Sequence, residues 1–322
     1  MTRRGLALLF VASLTAQAVG CVGYAYRSGA DSYRPPAALA AEAAAGERPV
    51  VMLVTGSMIV AEFFDVMRDR LEERGYEAVV FQSEGLFSET LTEGAAEVGE
   101  AIQAVVDARG GAPIKIIAEC DGGIATRYYL QQLGGHVNVD RFVSFVSAHN
   151  GTTGFPVAYF PALADIKPDS EFMAVHTAGR LPDGADTRMY SIYVCEDEVM
   201  IPYTTSAFPG ALNIEICDEA FAQRARERDH YKVSHGLGQW MIPQYGQHFG
   251  VFWDEAAFDL LVSCLEEDEA TVREFDQLGL LFSGGFGDRV AEPEPEPVCR
   301  TTETESEPES ETEADTQTEP VP

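Results

Sequence analysis

The chain has 322 residues, 46% of them hydrophobic, which suffices for one large domain with a substantial core or for two small ones. Its net charge of −30, from 22 Lys and Arg against 52 Asp and Glu, argues against nucleic acid as a partner, because phosphate binding needs basic patches, and against attraction to anionic membrane surfaces. Residues 291–322 hold eleven acids and one arginine, a net −10, so the remaining −20 belongs to an acidic soluble body, and acidity alone identifies no partner.

Met1 to Arg4 is positively charged, and Gly5 to Val19 is apolar and small. That run is too short and too interrupted for a comfortable membrane span and reads as an export signal over residues 1–20. Ala18-Val19-Gly20-Cys21 resembles a lipoprotein-processing site, at which Cys21 would be lipidated and become the mature N-terminus. Export to the bacterial cell envelope follows, as an anchored lipoprotein or a secreted protein, with any membrane attachment made through that lipid. Residues 21–47, rich in Ala, Arg, Pro and Ser, read as a linker.

Val50 to Val54 is a continuous apolar run suited to a strand buried on both faces. Ala61 to Arg74 carries Phe63, Phe64, Val66, Met67 and Leu71 at helical spacing and stops at Gly75. Strands are predicted at 77–81, 114–118, 142–146, 189–194 and 211–216, and helices at 92–109, 123–133 and 254–267. Residues 149–185 have no clean period and read as irregular; 218–247 mix charges, aromatics and glycine. Alternating strand and helix implies βαβ units and a mainly parallel sheet with helices on both faces. One α/β domain over 48–283 accounts for this pattern. Residues 284–322 carry Glu-Pro and Glu-Thr tracts that cannot bury enough apolar surface to offset ordering entropy, and read as a disordered acidic tail.

Of six cysteines, Cys195 and Cys217 lie near the ends of predicted neighbouring strands and form one candidate disulfide. Cys264, on a predicted helix, is another candidate partner, and buried free thiols are the alternative. The cysteine spacing does not resemble a zinc site, and no metal is expected.

Ala118-Glu119-Cys120-Asp121-Gly122-Gly123 falls directly between a buried strand and a helix, where a nucleophile elbow must lie. So tight a turn needs small residues two before and two after the nucleophile, and Ala118 and Gly122 satisfy this. Cys120 would sit at a helix N-terminus, whose dipole favours a thiolate; an inert buried cysteine is the bland alternative. A nucleophile needs a base, and the base an orienting acid. Asp197, after the predicted strand 189–194, is the candidate acid, and Glu196 and Glu198 are the alternatives. His248, just before the final helix, is the candidate base, with His235 as competitor; His149 and His230 read as structural or solvent-facing. The oxyanion hole needs two backbone N–H groups, assigned to Asp121 and Ser57.

These segments together resemble the small bacterial secreted lipases of the α/β-hydrolase superfamily. The likeness runs over Val50–Gly56, Lys115–Leu130, Val139–Thr152, Tyr190–Pro202, Asn213–Ile216 and His248–Gly250, and so spans roughly 48–268 with an insertion at about 218–247. The resemblance implies an α/β-hydrolase fold and hydrolysis of lipid or short acyl esters without a metal or other cofactor. Three departures stand out: Cys120 replaces serine, Glu119 replaces the usual histidine, and Thr55 replaces the histidine of the first loop. Cysteine at the nucleophile position is shared with dienelactone hydrolases and polyhydroxyalkanoate synthases of the same fold. Ionised Glu119 and Asp121 beside the thiol would raise its pKa and oppose thiolate formation, and an exported thiol is open to oxidation. The leading expectation is an acyl-ester hydrolase with a Cys120–His248–Asp197 triad. The alternatives are a Cys-dependent acyltransferase, an inactive relative that binds a lipid or protein, and an adhesion lipoprotein acting through its tail.

Overall fold

The structure, a computed structural model, describes residues 32–44, 46–155, 157–195, 197–217, 246–250, 252, 254–266 and 280–283. The export signal, Cys21, Glu196, His230, His235 and the tail over 284–322 lie outside the described residues. All described residues belong to the first of two compact units, Met1–Val290; the second is Ala291–Pro322.

Among the described residues, seven strands form one sheet in the order β2-β1-β3-β4-β5-β6-β7. They are β1 (Val50–Val54), β2 (Glu77–Phe81), β3 (Ile114–Glu119), β4 (Val139–Phe145), β5 (Arg188–Val194), β6 (Ala211–Ile216) and β7 (Leu280–Ser283). The first six are mutually parallel, and β7 pairs antiparallel with β6, an edge strand the sequence reading did not anticipate. The expected α/β-hydrolase architecture, a mainly parallel sheet with helices on both faces, is the one observed.

The continuous apolar run of β1 is explained by its position. It lies between β2 and β3, and every residue in it is buried. Its alternate side chains feed two cores, Val51 and Leu53 on one face and Val50, Met52 and Val54 on the other. The first face is covered by α2 (Asp65–Glu73), through Met67 and Leu71, and by α8 (Glu255–Glu266), through Phe258 and Leu261. The second is covered by α3 (Leu91–Ala108), α4 (Cys120–Gln132) and α6 (Glu171–Ala178). Thr90 and Glu93 cap α3 reciprocally, and Asp254 caps α8 through the Ala257 N–H at 3.1 Å.

Two stretches that read as irregular are partly helical. Within the linker, α1 (Pro36–Ala44) buries Leu39 and Ala43 completely in the second core. Its Ala-rich sequence carries high helix propensity, and the two apolar positions four apart give it one packing face. Within 149–185 lie α5 (Pro161–Asp165) and α6; Ser170 caps α6 by accepting from Met173 N–H at 3.0 Å. The short length of both helices hides their period in sequence.

Of the alternatives open for the cysteines, Cys195 and Cys217 form a disulfide, with Cα atoms 5.0 Å apart, and tie the ends of β5 and β6. Cys264 is a fully buried free thiol on α8.

Candidate active site

The site assembles at the carboxyl ends of the parallel strands, where open α/β sheets place their functional loops. Cys120 follows β3 directly and has φ +50°, a left-handed conformation rare for a side-chain-bearing residue and typical of a nucleophile elbow. Gly122 is required there, since a Cβ on it would collide with the Thr55 carbonyl of the loop after β1. Gly56 in that loop is required for the same reason, because its Cβ would fall 2.7 Å from Cys120 Cβ.

Asp197 comes from the loop after β5. Its Oδ1 accepts the Val199 and Met200 amides at 2.8 Å each, which fixes the carboxylate, and the pair of oxygens faces His248 Nδ1 at 2.9 and 3.1 Å. His248 lies on α7 (Gly246–Gly250), and Glu198 accepts its backbone N–H at 3.1 Å. Of the three acids considered in this loop, Asp197 holds the ring and Glu198 holds the backbone. The other ring nitrogen, Nε2, lies 3.4 Å from Glu119 Oε1. Cys120 Sγ, a His248 nitrogen and a Glu119 oxygen are all within 4.8 Å of one another. The structure therefore brings Cys120, His248 and Asp197 together.

Ser57 and Asp121 also meet, but through their side chains: the Ser57 hydroxyl bonds Asp121 Oδ2 and lies 3.1 Å from the Phe87 carbonyl. Asp121 Oδ1 is 4.0 Å from the thiol. The Asp121 amide lies in the first turn of α4, where helical N–H groups have no intrahelical acceptor.

Four ionisable acids here face one imidazole in a buried setting. Burial pushes the Cys120 thiol well up, and the charges of Asp121 and Glu119 push it further, against the opposing contact with His248. Burial also raises Glu119, although the His248 contact pulls the other way. Burial lowers His248, but the charge and hydrogen bond of Asp197, with contacts to Cys120 and Glu119, override it and hold the ring well above the usual histidine range. The contacts of His248 with Asp197 and Glu119 thus favour a charged ring, while burial and the neighbouring acids favour a neutral thiol.

Asp121 is pushed up to about 7, chiefly by burial, with the Ser57 hydrogen bond opposing and the Glu119 charge adding. Between the ordinary carboxylate pKa and that value the folded protein holds the Asp121 proton while the unfolded chain has released it. Its contribution to stability therefore falls as pH rises through that window. Asp121→Asn should melt higher than the parent above pH 7 and converge with it near pH 4, as read by thermal unfolding across pH.

Two features escaped the sequence. Glu119 registered only as a charge flanking the thiol, and its reach to Nε2 depends on a partner more than a hundred residues away. Behind α4, Arg127 is fully buried, with its guanidinium 4.3 Å over the Phe208 ring and 3.3 Å from His176 Nε2. His149, read as structural or solvent-facing, is wholly buried against this group and 2.8 Å from Ser144 Oγ. A lone arginine in a helix gives no sign of such burial.

No family model matches the sequence, and no curated protein matches it. Among solved structures the chain is similar to Aspergillus fumigatus lipase B, at TM-score 0.54 and 16% identity over 69% of this chain and 53% of that one. It thus spans about half the length of that lipase. Bacillus licheniformis lipase BlEst2 in its mature form aligns at TM-score 0.46 and 13% identity, over 52% of this chain and 82% of its own. What the first likeness shows is the fold, and by its sheet order and the elbow after β3 this chain has the α/β-hydrolase fold.

Proposed function

We propose that this chain is an acyl-ester hydrolase, lipase- or esterase-like, with Cys120 as nucleophile, His248 as base and Asp197 as the orienting acid. The observation that carries the proposal is the two-oxygen grip of Asp197 on His248 Nδ1, which turns Nε2 toward the elbow thiol. In the first half-reaction the ring, once it has released its Nε2 proton to solvent, takes the Sγ–H proton, and the thiolate attacks the ester carbonyl. The Ser57 and Asp121 amides receive the oxyanion. Collapse breaks the bond to the alcohol, which leaves with the proton from His248, and a thioester remains on Cys120. In the second half, water gives a proton to Nε2 and attacks the thioester. The acid departs and the thiol regains its proton. Acyl transfer to another alcohol would follow the same steps with a different acceptor. The chain would work at the cell envelope, exported through residues 1–20 and held there by a lipid on Cys21.

Activated esters of graded chain length should leave an acyl adduct on Cys120, read by intact mass, and Cys120→Ala should reduce hydrolysis to background. Unchanged hydrolysis in that variant would sink the proposal.

A second reading, an inactive relative with a lipid- or protein-binding pocket, is favoured by the Glu119 carboxylate that shares Nε2 with the thiol. The two readings part at Glu119→Ala. For a hydrolase, freeing Nε2 and removing one carboxylate from beside the thiol should speed iodoacetamide alkylation of Cys120 several-fold at neutral pH. His248→Ala should then cancel the gain. An inactive relative shows no turnover on any acyl ester and no alkylation of Cys120 in any of these variants.

A further inference from the structure

We propose that Glu119, Cys120 and His248 form a binding site for a thiophilic divalent cation of the zinc class, and that the bound ion holds the elbow inactive. The donor set comes first. One thiolate sulfur, one imidazole nitrogen and one carboxylate oxygen are ligands that zinc accepts together, and the sulfur selects against magnesium and calcium. All three donors are buried and lie within 4.8 Å of one another. Bonds of roughly 2.0–2.3 Å from one tetrahedral ion place donor atoms about 3.3–3.7 Å apart. Nε2 and Oε1 already meet that spacing at 3.4 Å, and the sulfur, within 4.8 Å of the other two donors, closes the site by an approach of roughly 1–1.5 Å at most.

Three further observations point to an ion. The second carboxylate oxygen, Glu119 Oε2, is buried without a hydrogen bond of standard geometry, with the Gly56 amide beside the carboxylate, in a residue only 1% exposed. Asp197 grips the far nitrogen of His248, the carboxylate–histidine arrangement that orients a metal-bound imidazole. Finally, Glu119, Cys120, Asp121 and Asp197 are four acids in one buried pocket with a single imidazole, and a bound dication offsets the charge they take on when they lose their protons. Three protein ligands leave a fourth position for water.

Uptake of the ion forms the metal–sulfur, metal–nitrogen and metal–oxygen bonds and releases the Sγ–H proton to solvent, with the Nε2–H proton also released from an imidazolium. The sulfur lone pair and Nε2 are then both engaged, so neither nucleophile nor base is available to an ester. The cation site goes beyond the hydrolase proposal and stands on placement of the three side chains rather than on turnover.

The full chain, with its disulfide intact and stripped by EDTA, is titrated with cobalt(II) alone and then with zinc(II) alone. One equivalent of cobalt should give a near-ultraviolet thiolate charge-transfer band and visible tetrahedral bands, both displaced by zinc. Cys120→Ala and Cys120→Ser should lack the charge-transfer band while keeping native circular dichroism. Asp197→Asn should keep the bands and weaken affinity about 10–100-fold, and Glu119→Gln should weaken affinity at least as much. Zinc should also protect Cys120 from iodoacetamide. A parent without the band, or a Cys120→Ser variant that retains it, overturns the site. Ester hydrolysis is read separately in EDTA: no turnover there sinks the hydrolase proposal and leaves the cobalt bands standing, whereas missing bands beside turnover sink the cation site alone.

Discussion

Asp197→Asn should lower kcat/KM for the proposed ester hydrolysis by about 10³–10⁴-fold, the scale this exchange reaches in a serine triad, while the protein stays folded. The amide oxygen of asparagine can still accept from Val199 and Met200, which Asp197 Oδ1 holds at 2.8 Å, so the loop keeps its shape. The amide nitrogen then faces His248 Nδ1 as a donor and forces the ring into the tautomer with its hydrogen on Nε2. Glu119 Oε1, 3.4 Å from that nitrogen, accepts the hydrogen and locks the wrong tautomer in place. A base already protonated on Nε2 cannot take the thiol proton. The loss should fall on kcat, with KM little changed, because no substrate contact is removed. Steady-state kinetics on a short activated ester checks it, and a variant within tenfold of the parent would show that Asp197 does not set the tautomer. The double variant with Glu119→Ala should recover part of the rate, which isolates the contribution of the lock.

How much of this was legible in the sequence follows the range of the interactions. The β1 run, the strand–elbow–helix join at Cys120 and the final amphipathic helix are local patterns, and each appears in the structure within a few residues of its expected place. Asp197 and His248 are candidates by the order in which this fold presents its acid and histidine, a rule of topology rather than of contact, and the structure puts their side chains 2.9 Å apart. The unread features are contacts between distant segments. Glu119 sits one residue before Cys120, yet its contact is with Nε2 of a residue on α7. The donor set of the proposed cation site takes only one cysteine, so cysteine spacing carries no sign of it. Helix α1 lay in what read as a linker because two apolar residues on an alanine background make a weak periodic signal, decisive only once α3 is beside it. The sequence points to Ser57 for its amide, and in the structure its hydroxyl also donates to Asp121, a buried neighbour of the thiol.

Phe252→Ala should cost about 3–5 kcal/mol of stability, the range for truncating a buried phenylalanine. Phe252 is 1% exposed and makes edge contacts with Phe63, Phe64 and Phe145, at ring centroids of 4.7, 4.9 and 5.0 Å. Those rings come from the segment before α2 and from β4, so the cavity opens between two elements that the sheet holds apart and that cannot collapse into it. For a domain of this size the melting temperature should fall by roughly 6–20 °C. Activity should fall as well, for a separate reason. The Phe252 N–H closes a turn on the Phe249 carbonyl at 3.2 Å, and Phe249 packs on Phe63 in the same aromatic group. His248 is thus held from the chain that follows it by apolar packing and from the front by Asp197. With the packing removed, a ring displacement of about 1 Å is enough to cost on the order of 100-fold in rate. Phe252→Leu, which keeps most of the volume, should lie between parent and alanine in both measurements. Chemical denaturation and kinetics below the lowered melting temperature separate the two effects: stability lost with rate intact would mean that Asp197 and Glu198 alone fix His248, and the aromatic cluster would then be core and nothing more.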